Sequence, residues 1–290
     1  MEGIINWNEL WKTMRSGHHW KRAHGEDPGS RWDKRAKQFN ESVMQHRERA
    51  EKQIANLDLK SEYTVLDVGA GTGRLAIPIA KRVKSVTAID QSKGMLACLQ
   101  ENMEKEGITN VVCINKRWED VELGVDIEQH DVVIACHSLG MFDIQEALAK
   151  MDSASKKYVY ILTHTGRWMG DGEEEELWKA MYGERHRAWE PDYMFLCNLL
   201  HDMKIYANVD IRDAEFEQHY ESLDDAVTKW KEMRDIPAEK VGVLREYLSK
   251  ILVEDDGTLC FKRKSKSTTI WWQKTEHEEY EKIGGDIKNE

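Results

Sequence analysis

Three groups of residues in this 290-residue chain stand at spacings that could bind a ligand or move a proton. The first is Asp67 ahead of three alternating glycines, Gly69, Gly71 and Gly73, with Ala70 between them. The second is Asp90, an acid about twenty residues after the first glycine, where a ribose-binding carboxylate belongs in a nucleotide fold. The third is a pair of histidines, His137 and His164, each closing an apolar run. A neutral imidazole there could take a proton from a hydroxyl or thiol.

Glycines in Val65-Leu66-Asp67-Val68-Gly69-Ala70-Gly71-Thr72-Gly73-Arg74 allow positive φ and a close approach of backbone amides to a ligand. A tight turn between ordinary elements is the plainer reading of the loop alone. Two cofactor registers compete. Read from Gly71 the string is Gly-x-Gly-x-x-Ala, a dinucleotide pattern; read from Asp67 it is Asp-x-Gly-x-Gly-x-Gly. A carboxylate beside the loop would repel a pyrophosphate and suits a ligand with a cationic amine and sulfonium. Asp67 therefore favours the second register. Asp90 has a competing role as a helix N-cap.

The elements that must position these residues follow from the apolar pattern. A short strand ends at Val68, and a helix opens in the run Leu75 to Val83. Ser85 to Asp90 is the second strand, a helix runs on through Asn102, and Val111 to Asn115 is the third strand. The run from His130 to Cys136 reads as a buried parallel strand, and Lys157 to Thr163 as a fifth that ends at His164. Alternating strands and helices predict a doubly wound α/β sheet whose ligands meet the carboxyl ends of the strands.

The segment VLDVGAGTGRLAIPIA followed by VTAIDQSKGML resembles the first two motifs of class I S-adenosylmethionine-dependent methyltransferases. The match is specific over residues 63 to 100 and looser over about 30 to 165. The resemblance implies a mostly parallel, seven-stranded Rossmann-like sheet, with N-terminal helices and a helical cap inserted late in the chain. It implies S-adenosyl-L-methionine as cofactor, with the backbone of Gly69, Ala70, Gly71 and Gly73 around the methionine part. Asp67 would sit near the amino group, Asp90 would hold the ribose, and Gln91, Met95 and Cys136 would lie nearby. Arg117 stands where the family carries its adenine-contacting acid, a departure that turns attention to Trp118 as a stacking ring and Glu119 as an acceptor. The alternative for both is a helix start with acids in its first turn. The string Trp32-Asp33-Lys34-Arg35-Ala36 is similar to a segment that folds over the cofactor, so Trp32 could cover the site and Arg35 reach the cofactor carboxylate.

The resemblance divides the chain into an N-terminal helical segment at 1–60, a cofactor-binding core at 61–165, a remainder of the sheet with aromatic-rich and helical insertions at 166–273, and a charged tail at 274–290. Helices are expected at 6 to 16, from 30 or 31 to 56, near 173 to 182, 190 to 203, 222 to 234 and 238 to 252. A long strand is expected at 205 to 220, and a closing hairpin from Gly257 to Arg263 and Ser267 to Gln273, with Trp271 and Trp272 on opposite faces. Trp168, Trp178, Met181, Trp189, Met194 and Phe195, with Gly170 and Gly172 as hinges, could line an acceptor pocket or simply pack.

Composition narrows the function. A formal net charge of -11 disfavours a polyanionic partner, and the motif that similar enzymes use on base amines is absent, so nucleic acid is not the expected substrate. The basic run Lys262-Arg263-Lys264-Ser265-Lys266 is the one stretch that could offer a local basic face. Five cysteines without a close pair suit reduced thiols and a cytoplasmic location, and no apolar run reaches membrane-span length. His18, His19 and His24 lack ligand spacing, so no metal is expected. The reading is a methyltransferase whose acceptor is a small molecule or a protein side chain, with a protein partner conceivable through 166–252. A catalytically silent cofactor-binding subunit, an NAD(P)-dependent dehydrogenase and an RNA methyltransferase remain as alternatives.

Overall fold

The computed structural model describes residues 5–16, 28–165, 173–183, 192–234 and 236–274. Eight strands form a single sheet: β1 (Thr64–Val68), β2 (Ser85–Asp90), β3 (Val111–Asn115), β4 (His130–Cys136), β5 (Ser155–His164), β6 (Asn208–Tyr220), β7 (Val253–Asp255) and β8 (Thr258–Gln273). Their order is β3-β2-β1-β4-β5-β8-β6, with β7 paired to β8. The first five run parallel; β8 is antiparallel to both β5 and β6. This is the expected doubly wound, mostly parallel sheet of seven strands with the three-residue β7 added. The reversal of strand order between β1 and β4 opens a crevice at their carboxyl ends, where Asp67 and His137 lie.

Both faces of the central strands are covered, which is why β1 and β4 are almost uniformly apolar. On one face Leu66, Val68, Val133, Ala135 and Ile161 pack against α6 (Ile144–Ala154), α8 (Tyr193–Asp202) and α1 (Trp7–Arg15). The other face sets Val65, Val132, Ile134 and Tyr160 against α3 (Arg47–Ile54), α4 (Ala76–Ala80) and α5 (Lys93–Glu106). A third cluster is separate. It joins α7 (Glu173–Tyr182), α9 (Leu223–Arg234) and α10 (Val241–Ile251) to Tyr220 and Phe261, making a small helical cap on the long β6–β8 pair.

Two elements depart from expectation. The single helix from residue 30 to 56 is two: α2 (Pro28–Gln45) and α3, divided at His46 with φ -128 and ψ 40. Proline at the first position of α2 suits a helix start, since its missing N–H has no intrahelical partner there. The closing hairpin is the second departure, for Thr258–Gln273 is one strand of 16 residues. Its basic run lies mid-strand against the acids of β6: Lys262 faces Glu217, Lys264 faces Glu215 and Lys266 faces Asp213. Ion pairs close at 3.2 Å for Lys262–Glu217 and 2.7 Å for Lys266–Asp213, so the local basic face is neutralised by a cross-strand charge ladder.

The cap helices at 222 to 234 and 238 to 252 fall where expected, the second opening with a 3-10 turn at Ala238–Lys240. Trp271 and Trp272 face opposite sides of the sheet, packing in different clusters. His18, His19, His24, Trp168, Gly170, Gly172, Trp189 and the tail beyond 274 lie outside the described residues.

Candidate functional site

The glycine loop leaves β1 and turns back beneath β2 and β4. Gly69, Gly71 and Gly73 all adopt positive φ, at 75°, 57° and 87°. Two of them are also sterically required. A Cβ on Gly69 would lie 2.3 Å from Ser138 Cβ, and one on Gly73 would lie 2.2 Å from Leu99 Cδ1. The amides of Gly69 and Ala70 both donate to the Ile89 carbonyl, at 2.8 and 3.0 Å, fastening the loop to β2.

Asp67 sits at the base of this loop with 2% of its surface exposed. Its carboxylate accepts no hydrogen bond from the described residues. Burial pushes its pKa up to about 7, opposed by the positive charge of Arg74 and reinforced by Asp90. A buried carboxylate left without donors is costly in a folded protein unless a cation or donor arrives from outside. Arg74 itself is held away, donating to Gln53 Oε1 at 2.5 Å and Cys136 Sγ at 2.7 Å.

Asp90 caps the loop from β2. One carboxylate oxygen accepts from Gly71 N and the other from Ser92 N, each at 2.8 Å, while burial raises its pKa. Both oxygens keep further lone pairs for ligand hydroxyls. The N-cap of α5 is Ser92, whose hydroxyl accepts from Met95 N, so the N-cap alternative for Asp90 gives way to loop closure.

The helix α2 lies over this edge. Asp33 Oδ1 accepts from Ser92 Oγ at 2.6 Å and Gly94 N at 2.7 Å, and Phe39 Cε1 would stand 3.8 Å from a Cβ on Gly71. Behind them Asn40 pairs with Asn102, which in turn donates to the Thr72 carbonyl at 3.0 Å. Trp32 is exposed at 36% and meets Phe39 edge-on at 5.6 Å.

At the tips of β4 and β5 the rings of His137 and His164 stack at 4.1 Å. His137 takes a left-handed φ of 53° while its N–H donates to Leu162 O at 2.9 Å. Burial drives both imidazoles towards the neutral form: His137 falls well below its ordinary pKa, and His164 falls to about 4. Each also depresses its ring charge through nearby positive charge, from His164 and Arg74 in the first case and from Arg263 and Arg74 in the second.

Three expected residues are placed differently. Trp118 is buried in the core, its N–H given to Ala147 O at 3.1 Å and Lys150 Nζ 5.6 Å over its ring, so no open face remains for stacking. Neighbouring Glu119 is half-exposed and paired with Arg117 at 3.3 Å. Arg35 is buried and donates to Glu232 O of α9 at 3.3 Å, which ties α2 to the cap. Met95 is buried with Ala36 and Cys98, while Gln91 is half-buried beside Asp90. Sequence reasoning did not single out Asp33, Phe39, Arg74 or Ser138 as positioning residues. Ser138 Oγ donates to Val68 O at 2.5 Å and fills the space that Gly69 leaves open.

The family model for the methyltransferase domain matches residues 65–157. The chain belongs to the class I S-adenosylmethionine-dependent methyltransferases. An uncharacterized protein of Haemophilus influenzae is 30% identical over 190 residues, covering 65% of this chain and 68% of that protein. A 23S rRNA (uracil(1939)-C(5))-methyltransferase of Aeromonas hydrophila is 26% identical over 119 residues, 38% of this chain but only 26% of that enzyme. The YcgJ protein of Bacillus subtilis shares the fold, with a TM-score of 0.55 at 15% identity over 80% of this chain and 100% of that one. The methyltransferase match takes in Asp67, Asp90 and His137; α2, His164 and the cap lie outside it.

Proposed function

We propose that this methyltransferase transfers a methyl group from S-adenosylmethionine to a nucleophile on a small molecule or a protein side chain. The observation that carries the reading is the buried Asp67 carboxylate, without a hydrogen-bond donor among the described residues, at the base of a positive-φ glycine loop. S-adenosylmethionine supplies a methyl group on a sulfonium that leaves without further activation. Asp67 would meet the amino group, the Gly69–Gly73 backbone would enclose the methionine part, and Asp90 would take the ribose. Residues 61–165 then form the cofactor-binding core, with α2 over one edge and the rest of the chain on the acceptor side.

In-line methyl displacement asks the protein chiefly for alignment and exclusion of water. The stacked imidazoles of His137, which keeps an exposed surface, and His164, which is half-buried, are held towards the neutral form by desolvation, and their lowered pKa values make them weak bases at pH 7. The pair therefore fits an acceptor that arrives already nucleophilic better than one that must be deprotonated. An acidic chain whose basic run is paired with acids argues against a polyanionic acceptor.

Calorimetric titration with S-adenosylmethionine and S-adenosylhomocysteine, with NADH as control, tests the cofactor reading. Binding of both adenosyl ligands, weakened in Asp67→Ala and Asp90→Ala, is expected. NADH binding instead, or a folded protein that binds neither adenosyl ligand, overturns it. Transfer of a methyl label into small-molecule and protein fractions of cell extract separates the two acceptor classes, and absence of transfer points to a silent subunit.

A further inference from the structure

Beyond its pairing with β5, the β6–β8 ladder continues to the edge where β7 joins it. There the register sets His219 opposite Cys260, Glu217 opposite Lys262 and Asp255 opposite Thr258. Period-two alternation puts Glu217 and His219 on one face with Cys260. Three donor atoms meet on that face. Glu217 Oε1 lies 3.0 Å from His219 Nε2, Cys260 Sγ lies 3.4 Å from Glu217 Oε1, and Cys260 Sγ lies 3.7 Å from His219 Nε2. A tetrahedral zinc ion with ordinary bond lengths sets its ligand atoms about 3.3 Å apart for nitrogen and oxygen and about 3.5 Å apart where sulfur is one of them. The observed triangle is that of one face of such a tetrahedron. A carboxylate oxygen of Asp255 also falls within 4.8 Å of all three.

The contacts around the imidazole are compatible with a free Nε2. Thr258 Oγ1 lies 2.8 Å from the Asp255 carbonyl and 3.0 Å from His219 Nδ1; with its hydrogen on the carbonyl it accepts from Nδ1. With the proton on Nδ1, a neutral His219 directs the Nε2 lone pair at a carboxylate oxygen. Two such electron pairs at 3.0 Å repel unless a positive centre lies against them. A hydrogen-bonded second nitrogen of this kind is also how proteins orient metal-binding histidines. Lys262 Nζ lies 2.6 Å from Asp255 Oδ2 and 3.2 Å from Glu217 Oε1, so it offsets one of the two carboxylates. A divalent ion with the Glu217 carboxylate and a Cys260 thiolate would leave the whole cluster neutral. Nearby, His46 Nε2 is buried without a hydrogen-bond partner among the described residues, and Arg49 donates to the Glu217 carbonyl at 2.9 Å, fixing the start of α3 against this edge.

We propose that Cys260, His219 and Glu217, with Asp255 in reach as fourth ligand, bind one zinc-type divalent ion that fastens β6, β7 and β8 beneath the cap. Binding replaces the thiol proton of Cys260, which passes to solvent, and no electron is transferred. The site is separate from the glycine loop and does not depend on the cofactor reading.

The test uses the full chain, stripped with chelator and titrated with Zn(II) and with Co(II). One equivalent per chain is expected, with a sulfur-to-cobalt charge-transfer band in the near ultraviolet. Cys260→Ser should abolish that band, and His219→Gln, at a partly exposed position, should weaken Zn(II) at least about 100-fold. Thr258→Val, which removes the acceptor of Nδ1–H, should weaken it about 10–100-fold. Failure of the folded chain to take up stoichiometric metal, or uptake unaltered by His219→Gln, overturns the proposal; the first result leaves the cluster as a hydrogen-bonded group paired with Lys262. Circular dichroism of each variant confirms folding.

Discussion

Lowering the pH should weaken cofactor binding through Asp67, and the size of the effect follows from its environment. Burial holds this carboxyl at a pKa of about 7 in the ligand-free chain. A cationic amine placed against it favours the ionised form, so the bound state has the lower pKa and binding expels a proton wherever Asp67 starts protonated. Affinity then rises with pH through 7 and levels off above it. Between pH 6 and pH 8 the free protein passes from about ten-to-one protonated to about one-to-ten, which makes the expected gain about tenfold, or ~1.4 kcal/mol. Titration calorimetry with S-adenosylhomocysteine at pH 6, 7 and 8, in buffers of different ionisation enthalpy, measures both the affinity and the protons released. Asp67→Asn shares every titration of the ligand and lacks only this one, so its profile should be weaker and flatter. A wild-type affinity that does not change with pH, or a slope that survives in Asp67→Asn, refutes the argument.

Other outcomes follow from the same geometry. Because the folded-state pKa of Asp67 is raised, the native chain binds the extra proton between about pH 4 and 7 and loses stability as pH climbs through that window; Asp67→Asn should recover up to about 4 kcal/mol at pH 8 and little at pH 4, read from urea melts at both. Gly73→Ala combines a φ of 87° with a Cβ 2.2 Å from Leu99 Cδ1, and should cost about 2–5 kcal/mol in denaturant unfolding. Trp11→Ala removes a buried ring that donates to Met141 O and packs on Phe195, so a loss of about 3–5 kcal/mol is expected, and a loss below 1 kcal/mol would show that α1 is not part of the core. Lys264→Ser with Lys266→Ser should leave the salt dependence of polyanion binding unchanged, measured by fluorescence anisotropy of a labelled RNA, because both lysines already face acids.

The central sheet and its loop were legible because their signals are local. Val65 to Ala76 carries strand, turn and helix start in twelve successive residues, and the φ values at the three glycines agree with their spacing. The basic run at 262–266 was misplaced for a related reason. Charged residues read as a turn when the partner strand is unknown, and the acids that neutralise them stand about fifty residues earlier, at Asp213, Glu215 and Glu217. Trp118 illustrates the same limit: its type fits adenine stacking, but Ala147 and Lys150, which cover it, arrive from another helix. Arg35 was assigned to the cofactor carboxylate that the resemblance offered, whereas it donates to a backbone carbonyl of the cap. The metal-type cluster escaped because its ligands come from three strands, with spacings that form no motif.

The placement of Arg35 changes how α2 should be understood. On one side the helix touches α5, through Asp33 on Ser92 and Gly94 and Asn40 on Asn102, and reaches the glycine loop through Phe39 over Gly71. On the other side it touches the cap, through Arg35 on Glu232 O and Gln38 on Lys229 O at 3.5 Å. Both of these bonds go to backbone carbonyls and tolerate side-chain change in α9; the one from the neutral Gln38 amide is worth about 1 kcal/mol and the one from the charged Arg35 guanidinium about 1.5–3 kcal/mol. Those to the start of α5 include a carboxylate bonded at 2.6 and 2.7 Å, likewise a charge-assisted arrangement. The helix is thus fastened to α5 beside the glycine loop on one side and to the cap on the other. Because both cap contacts use main-chain carbonyls of α9, the side chains of that helix can vary without removing either bond or disturbing the residues around Asp90.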